Sequence, residues 1–219
     1  MNLNTMSFDI NLLDDLDYDD VEPLIEDYIE DIIEQFGQSP EGQAHAVQYP
    51  EIGSWIFHLI DFGYKYEGFV LSQMTKDDMK TMMEDLLPRK LVVANKSEAE
   101  DAVPELVAFW SFLEREYNFK NAKGIINYLL SVKNKFPDWM FDPARGGIAK
   151  NFFLSGIKAG FDMNSQEGMN MFKEIYNAQV DKKPLLPTPS NTKKTKTPCN
   201  KNKGFGVWTS TKSSRRKKK

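Results

Sequence analysis

From residue 21 to about residue 180, apolar residues recur every three or four positions, in segments divided by proline and glycine. That spacing places them on one face of a 3.6-residue helix, whereas a half-buried strand would alternate. Leu24, Ile25, Tyr28, Ile29, Ile32, Ile33 and Phe36 follow it, with Asp20 suited to an N-cap, Pro23 to a first turn and Gly37 to a stop. A helix over 21–36 is predicted, with one face apolar and the other almost purely acidic. Residues 38–50 carry turn formers at both ends and read as a loop, and 51–66 reads as a second helix rich in aromatic residues.

Thr75-Lys76-Asp77-Asp78 has the form of a capping box, with Asp in place of the usual Glu. It introduces Met79, Met82, Met83, Leu86 and Leu87, a run that Pro88 is expected to end. Leu91 to Val93 suits a short extended piece with no strand to pair with. Ala102 to Tyr117 is the clearest helix. Asn121 is placed to cap another, which Pro137 closes. Pro143 is placed to open one that ends at Gly160, and Ser165 to cap a last one through Tyr176. The expected class is all-α: a single irregular domain of about seven helices over 21–180, behind an acidic segment at 1–20 and ahead of a disordered basic tail at 181–219. The segments are unequal in length and show no solenoid period.

Charge is distributed very unevenly. Residues 1–64 hold 15 Asp or Glu and no Lys or Arg, while residues 181–219 hold 13 Lys or Arg and one acid, Asp181. The net charge of −4 therefore conceals an acidic head and a basic tail. Such asymmetry points toward a polyanionic partner for the basic end, and the two ends have the charge to attract one another or to pair between chains at low salt. The tail is rich in Lys, Thr, Pro, Ser and Asn and offers too little apolar surface to offset the entropy of ordering it.

The single cysteine, Cys199, excludes an internal disulfide framework and suits a reducing compartment. The first residues lack the basic and apolar regions of a signal peptide. The longest apolar stretch, 52–60, is interrupted by Gly53, Ser54 and His58 and falls far short of the roughly 20 residues that span a bilayer. A cytoplasmic protein without a membrane span is expected.

The strongest functional signal is the tail. Lys193, Lys194, Lys196, Lys201, Lys203, Lys212, Arg215, Arg216, Lys217, Lys218 and Lys219 can neutralise phosphates and release counterions. Phe205 and Trp208 lie between the basic clusters, where aromatic rings can stack on unpaired bases. A solubilising terminus would have a similar composition. In the acidic head, Asp15, Asp17, Asp19 and Glu26 match positions 1, 3, 5 and 12 of a calcium loop. Asp20 stands where that loop needs Gly, however, and Pro23 falls inside it, so no metal is expected. The methionines fit ordinary core filling better than an adaptable binding surface.

Signals for catalysis are weak. His45 falls in the expected loop, and His58 in an apolar helix, where a structural role suits it. There is no phosphate-binding loop, dinucleotide fingerprint, HExxH or GxSxG. Arg145-Gly146-Gly147 near a helix start could approach a phosphate, although paired glycines at such a place more often allow close packing. No cofactor is expected. The sequence favours a noncatalytic helical protein that binds a macromolecule, with the tail on nucleic acid or another polyanion. A protein-interaction or adaptor domain is the alternative, and an enzyme with an unfamiliar site comes third.

Overall fold

The computed structural model describes residues 8–14, 16 and 18–180, and every regular element among them is helical. The chain divides into two units, Met1–Ile175 and Tyr176–Lys219. The architecture below is that of the first; of the second, only Tyr176–Val180 are described. The expected disorder of 181–219 lies outside the described residues. No described helix is long and apolar enough to cross a membrane.

The helix expected over 21–36 is divided at its start. A single turn, α1 (Tyr18–Val21), passes through a turn at Glu22–Leu24 into α2 (Ile25–Gln38). Pro23 disfavours helical backbone at the residue before it, and the Leu24 amide closes the turn onto the Val21 carbonyl at 2.8 Å. Asp20 therefore caps no long helix. The two faces of α2 are as expected: Ile25, Tyr28, Ile29, Ile32 and Phe36 are buried, and Glu26, Asp27, Glu30, Asp31 and Glu34 are exposed.

The expected loop at 38–50 contains α3 (Pro40–Ala46). The Ser39 hydroxyl accepts from the Gly42 amide at 3.0 Å, and Pro40 fills the first position, where a missing N–H costs nothing. A Cβ on Gly42 would collide with the Phe36 carbonyl, so the corner between α2 and α3 closes backbone on backbone. Helix α4 (Ser54–Phe62) then begins at Gly53, whose φ of +100° suits glycine, and continues into a widened π-helical turn, Gly63–Glu67.

The capping box at Thr75 forms as its sequence predicts. The Asp78 amide donates to the Thr75 hydroxyl at 3.2 Å, and the Thr75 amide donates to the Asp78 carboxylate at 2.8 Å. It opens α5 (Lys76–Thr81), which runs through a second π turn, Met82–Leu86, into α6 (Leu87–Lys90). Pro88 lies inside that last helical turn instead of ending the run. Leu91 is extended, as expected, and no strand pairs with it among the described residues. A short helix absent from the sequence reading, α7 (Lys96–Glu100), follows, its first turn capped by the Asn95 side chain.

Helix α8 (Ala102–Tyr117) has the bounds the sequence predicts and is the spine of the first unit, packing against α3, α4, α7 and α9 (Ala122–Val132). It buries Leu106, Phe109, Trp110 and Leu113 completely, each worth roughly 1.5–3 kcal/mol of transfer free energy. Phe109 meets Phe36 of α2 edge-on at 5.7 Å. Asn121 makes no cap on α9; its amide nitrogen donates to the Met74 carbonyl instead. Pro137 does not close α9 either. It sits in the first turn of α10 (Phe136–Phe141), where its fixed φ favours helix entry.

The helix expected to open at Pro143 starts later, at Gly147, as α11 (Ile148–Lys158), and Pro143 belongs to the preceding turn. Gly160 at φ +87° follows its end. The Ser165 hydroxyl accepts from the Gly168 amide at 3.0 Å and caps α12 (Gln166–Val180) as predicted. Phe172 packs on Phe152 and Phe161, at 5.0 and 5.4 Å between ring centres.

One buried acid joins α8 to α4. Gly53 offers no side chain to the first turn of α4, and Glu105 of α8 supplies the missing acceptor: its Oε1 takes the Trp55 and Ile56 amides at 2.9 and 3.0 Å. Glu105 is 1% exposed. Burial pushes its carboxyl up to about 7, against the opposing pull of these amide bonds.

Two outcomes follow from this cap. Glu105→Ala leaves two buried amides without an acceptor and should cost about 2–5 kcal/mol in urea denaturation. Because the folded-state carboxyl titrates above its ordinary 4.5, the native protein binds the proton more readily than the unfolded chain. The contribution of Glu105 to stability is thus full below pH 4.5 and is lost as pH rises through about 7. Glu105→Gln keeps the acceptor but cannot titrate. Its stability relative to the parent should rise between pH 5 and pH 8, and an unchanged difference would refute this titration.

Candidate functional site

All thirteen tail residues singled out above, from Lys193 to Lys219, lie outside the described residues. So does Cys199. Of the calcium-loop positions, Asp15 and Asp17 also lie outside, while Asp19 falls in α1 and Glu26 in α2. Among the described residues, no group of three or more His, Cys, Asp or Glu could hold a metal ion.

Several of the described cations are committed to the fold. Arg115 forms a forked pair with Glu41 at 2.7 and 3.0 Å and also holds Glu116 at 2.7 Å. This pairing holds the Glu41 carboxyl below the usual range. Arg89 pairs with Asp85 at 3.1 Å, Lys65 with Asp61 at 2.6 Å, and Lys96 with Asp138. Lys90 lies over the Tyr66 ring at 4.0 Å.

Arg145, at the segment that suggested a phosphate contact, is also taken. Pro88 has no N–H to offer the Glu84 carbonyl four residues earlier. The Arg145 guanidinium supplies one through Nη1, while its Cζ lies 4.7 Å from the centre of the Trp139 ring. Gly147 donates its amide to the Arg89 carbonyl at 3.0 Å, and a Cβ there would stand 2.8 Å from the same oxygen. Lys150 Nζ donates to the Pro88 and Met140 carbonyls at 2.9 and 2.7 Å. Arg145, Gly147 and Lys150 thus donate to the Glu84, Arg89 and Pro88 carbonyls near the end of the α5–α6 run. The glycines serve close packing, and the Gly147 amide is not free for a phosphate.

Neither histidine stands in a catalytic arrangement. His45 lies in α3 instead of a loop, is buried, and stacks on Tyr49 at 4.8 Å. His58 contacts Trp55, Phe57 and Phe62. Burial lowers the pKa of both rings. Met74, Met79, Met82, Met83 and Met163 are buried, consistent with core filling, while Met171 is half-exposed.

Two clefts of similar size remain. One, of about 340 Å³, is lined by Lys96, Glu100, Lys133 and Asp138, so charges of both signs offset each other there. The other, of about 330 Å³, lies between α11 and the chain leaving α10. It has apolar walls at Met140, Phe141, Pro143 and Leu154, with Lys150 and Lys158 as its cations. Lys150 is 5% exposed, and burial pushes its amine down to about 8. Lys150 gives no sequence signal of its own: it is one lysine among many until the fold buries it.

The link from Pro88 to Arg145 can be measured. Arg145→Met should cost about 1–3 kcal/mol by leaving the Glu84 carbonyl short of a donor. With Pro88→Ala as the second change, a backbone N–H at position 88 can serve that carbonyl, so the loss on removing Arg145 should shrink by at least about 0.5 kcal/mol in a double-mutant cycle. Strict additivity would show that the two are independent. Comparison with protein-family models, with curated proteins and with solved structures finds no match.

Proposed function

We propose that this protein is a noncatalytic, helical macromolecule-binding module whose basic C-terminal segment grips nucleic acid or another polyanion. One observation carries this reading. Residues 181–219 hold 13 of the 28 basic residues and a single acid, whereas Arg89, Arg115 and Arg145 of the helical body are each engaged with acids, a carbonyl or a ring inside the fold. Density of positive charge is what a phosphate backbone responds to, through counterion release and without regard to sequence. Phe205 and Trp208, set between the basic clusters, add a stacking surface for unpaired bases. The helical body would supply any selectivity.

The test uses the full chain and random-sequence single-stranded and double-stranded nucleic acid, with binding followed by fluorescence anisotropy. If the segment neutralises about six phosphates, affinity for a single strand falls about 300-fold between 50 and 200 mM salt. Replacing the tail Lys and Arg by Gln should abolish both the binding and the salt slope. Phe205→Ala with Trp208→Ala should weaken single-strand binding by about tenfold or more and leave duplex binding nearly unchanged. No binding at low salt would reject the reading.

A second reading, an adaptor that docks a basic protein, draws on α2. The carboxylates of Glu26, Asp27, Glu30, Asp31 and Glu34 are exposed, and none forms an ion pair among the described residues. A stoichiometric protein partner that stays bound when the tail is neutralised, and is lost when these five are changed to Gln or Asn, would favour it.

A further inference from the structure

The cleft between α11 and the end of α10 holds a buried cation that has backbone partners but no counter-charge. Lys150 carries its ammonium into the protein at 5% exposure, yet its partners are the neutral carbonyls of Pro88 and Met140. No carboxylate pairs with it among the described residues. Buried lysines are ordinarily paired, because a charge taken out of water costs several kcal/mol unless an opposite charge compensates it. Two carbonyls satisfy two of its three donors and leave its charge without a counter-ion.

The one acid on the wall is already used. Asp142 takes the Ala144 amide at 2.9 Å and lies 3.9 Å from the Arg145 guanidinium. Asn151 is spent as well, donating to the Pro143 and Gly146 carbonyls at 2.9 Å each. The Ser155 hydroxyl and the Lys158 ammonium, both exposed, remain to line the opening. The rest of the wall is apolar, and Phe141 keeps 37% of its surface open there. The cleft, at about 330 Å³, is in the size range of small-molecule sites, where apolar walls carry the affinity and a few polar groups orient the ligand.

We infer that this cleft is a binding site for a small organic carboxylate with an apolar body, its carboxylate on Lys150 Nζ and its hydrocarbon against Phe141, Pro143 and Leu154. The carboxylate supplies the counter-charge that the fold omits. Lys158 adds attraction at the opening. An inorganic anion would meet the lysine but leave the apolar wall wet, and a neutral amphiphile would do the reverse. The site is independent of the basic tail, so it stands or falls apart from the proposal for nucleic acid.

Octanoate is the probe, with 1-octanol as the neutral molecule of equal chain length and inorganic phosphate as the anion without a chain. Calorimetry on the full-length protein should show saturable octanoate binding. Octanol should bind at least about tenfold more weakly, the worth of one charge-assisted hydrogen bond. Phosphate should fail to displace octanoate at equal concentration. Lys150→Met keeps the side-chain stem and should erase the preference for octanoate over octanol. Should that variant unfold, Leu154→Ser, at a half-buried wall position, should weaken octanoate severalfold and leave a folded protein by circular dichroism. The inference is overturned by any of three results: no saturable octanoate binding, equal binding of octanoate and octanol by the parent protein, or a folded Lys150→Met that binds octanoate as tightly as its parent.

Discussion

Proline cannot donate a backbone hydrogen bond, and the carbonyls around Pro88 are where the start of α11 is fastened to the α5–α6 run. The α5–α6 run is helical on both sides of it, and Pro88 offers no N–H to the Glu84 carbonyl. Just beyond, the helix stops at Lys90, leaving the Pro88 and Arg89 carbonyls open as any helix end does. Arg145, Gly147 and Lys150 answer these oxygens from one short stretch of chain. The start of α11 is therefore fastened by directional bonds to particular oxygens as well as by apolar burial. The spacing of the open carbonyls sets where the segment lies.

Glu105 does the same for α4. In both places a helix end lacks its own cap, and a side chain distant in sequence supplies it. Both groups are charged, and both are buried to do so. Burial raises the Glu105 carboxyl and lowers the Lys150 amine, each toward its neutral form. They differ in how well they are answered. Glu105 meets two amides at the positive end of a helix, the setting a carboxylate prefers. Lys150 meets carbonyls alone, and its charge is the one this part of the fold leaves open.

Concentration of basic charge also separates the tail from the body. Guanidinium groups in the body are held by carboxylates, rings and carbonyls. The acids of α2 remain exposed, and the last 39 residues carry nearly half of the basic side chains against a single acid. Polyanion binding is proposed for the tail because that is where basic charge is concentrated.

Much of the helical content was legible in the sequence. The bounds of α8, the capping box at Thr75 and the cap at Ser165 rest on contacts within four residues, and local chemistry decides them. Two of the errors share one cause. The turn residues of 38–50 and Pro137 read as punctuation between helices, although Ser before Pro, or Pro in a first turn, marks a start as well as a stop. Asn95 with Glu98 carried the same kind of start signal over α7. Pro23 and Pro88 went the opposite way to expectation, the first dividing a helix and the second continuing one.

The sequence by itself determined that this chain folds as helices, which of their faces are apolar, and that its charge is divided between an acidic beginning and a basic end. These depend on residue type and on spacing within a turn or two. Only the tertiary structure decided that Glu105 caps a helix about fifty residues earlier, that Arg145 replaces the bond Pro88 cannot make, and that Lys150 lies buried with no acid to meet it. Each of these depends on which unsatisfied backbone group the fold brings within about 3 Å of a side chain, and packing of distant segments fixes that distance.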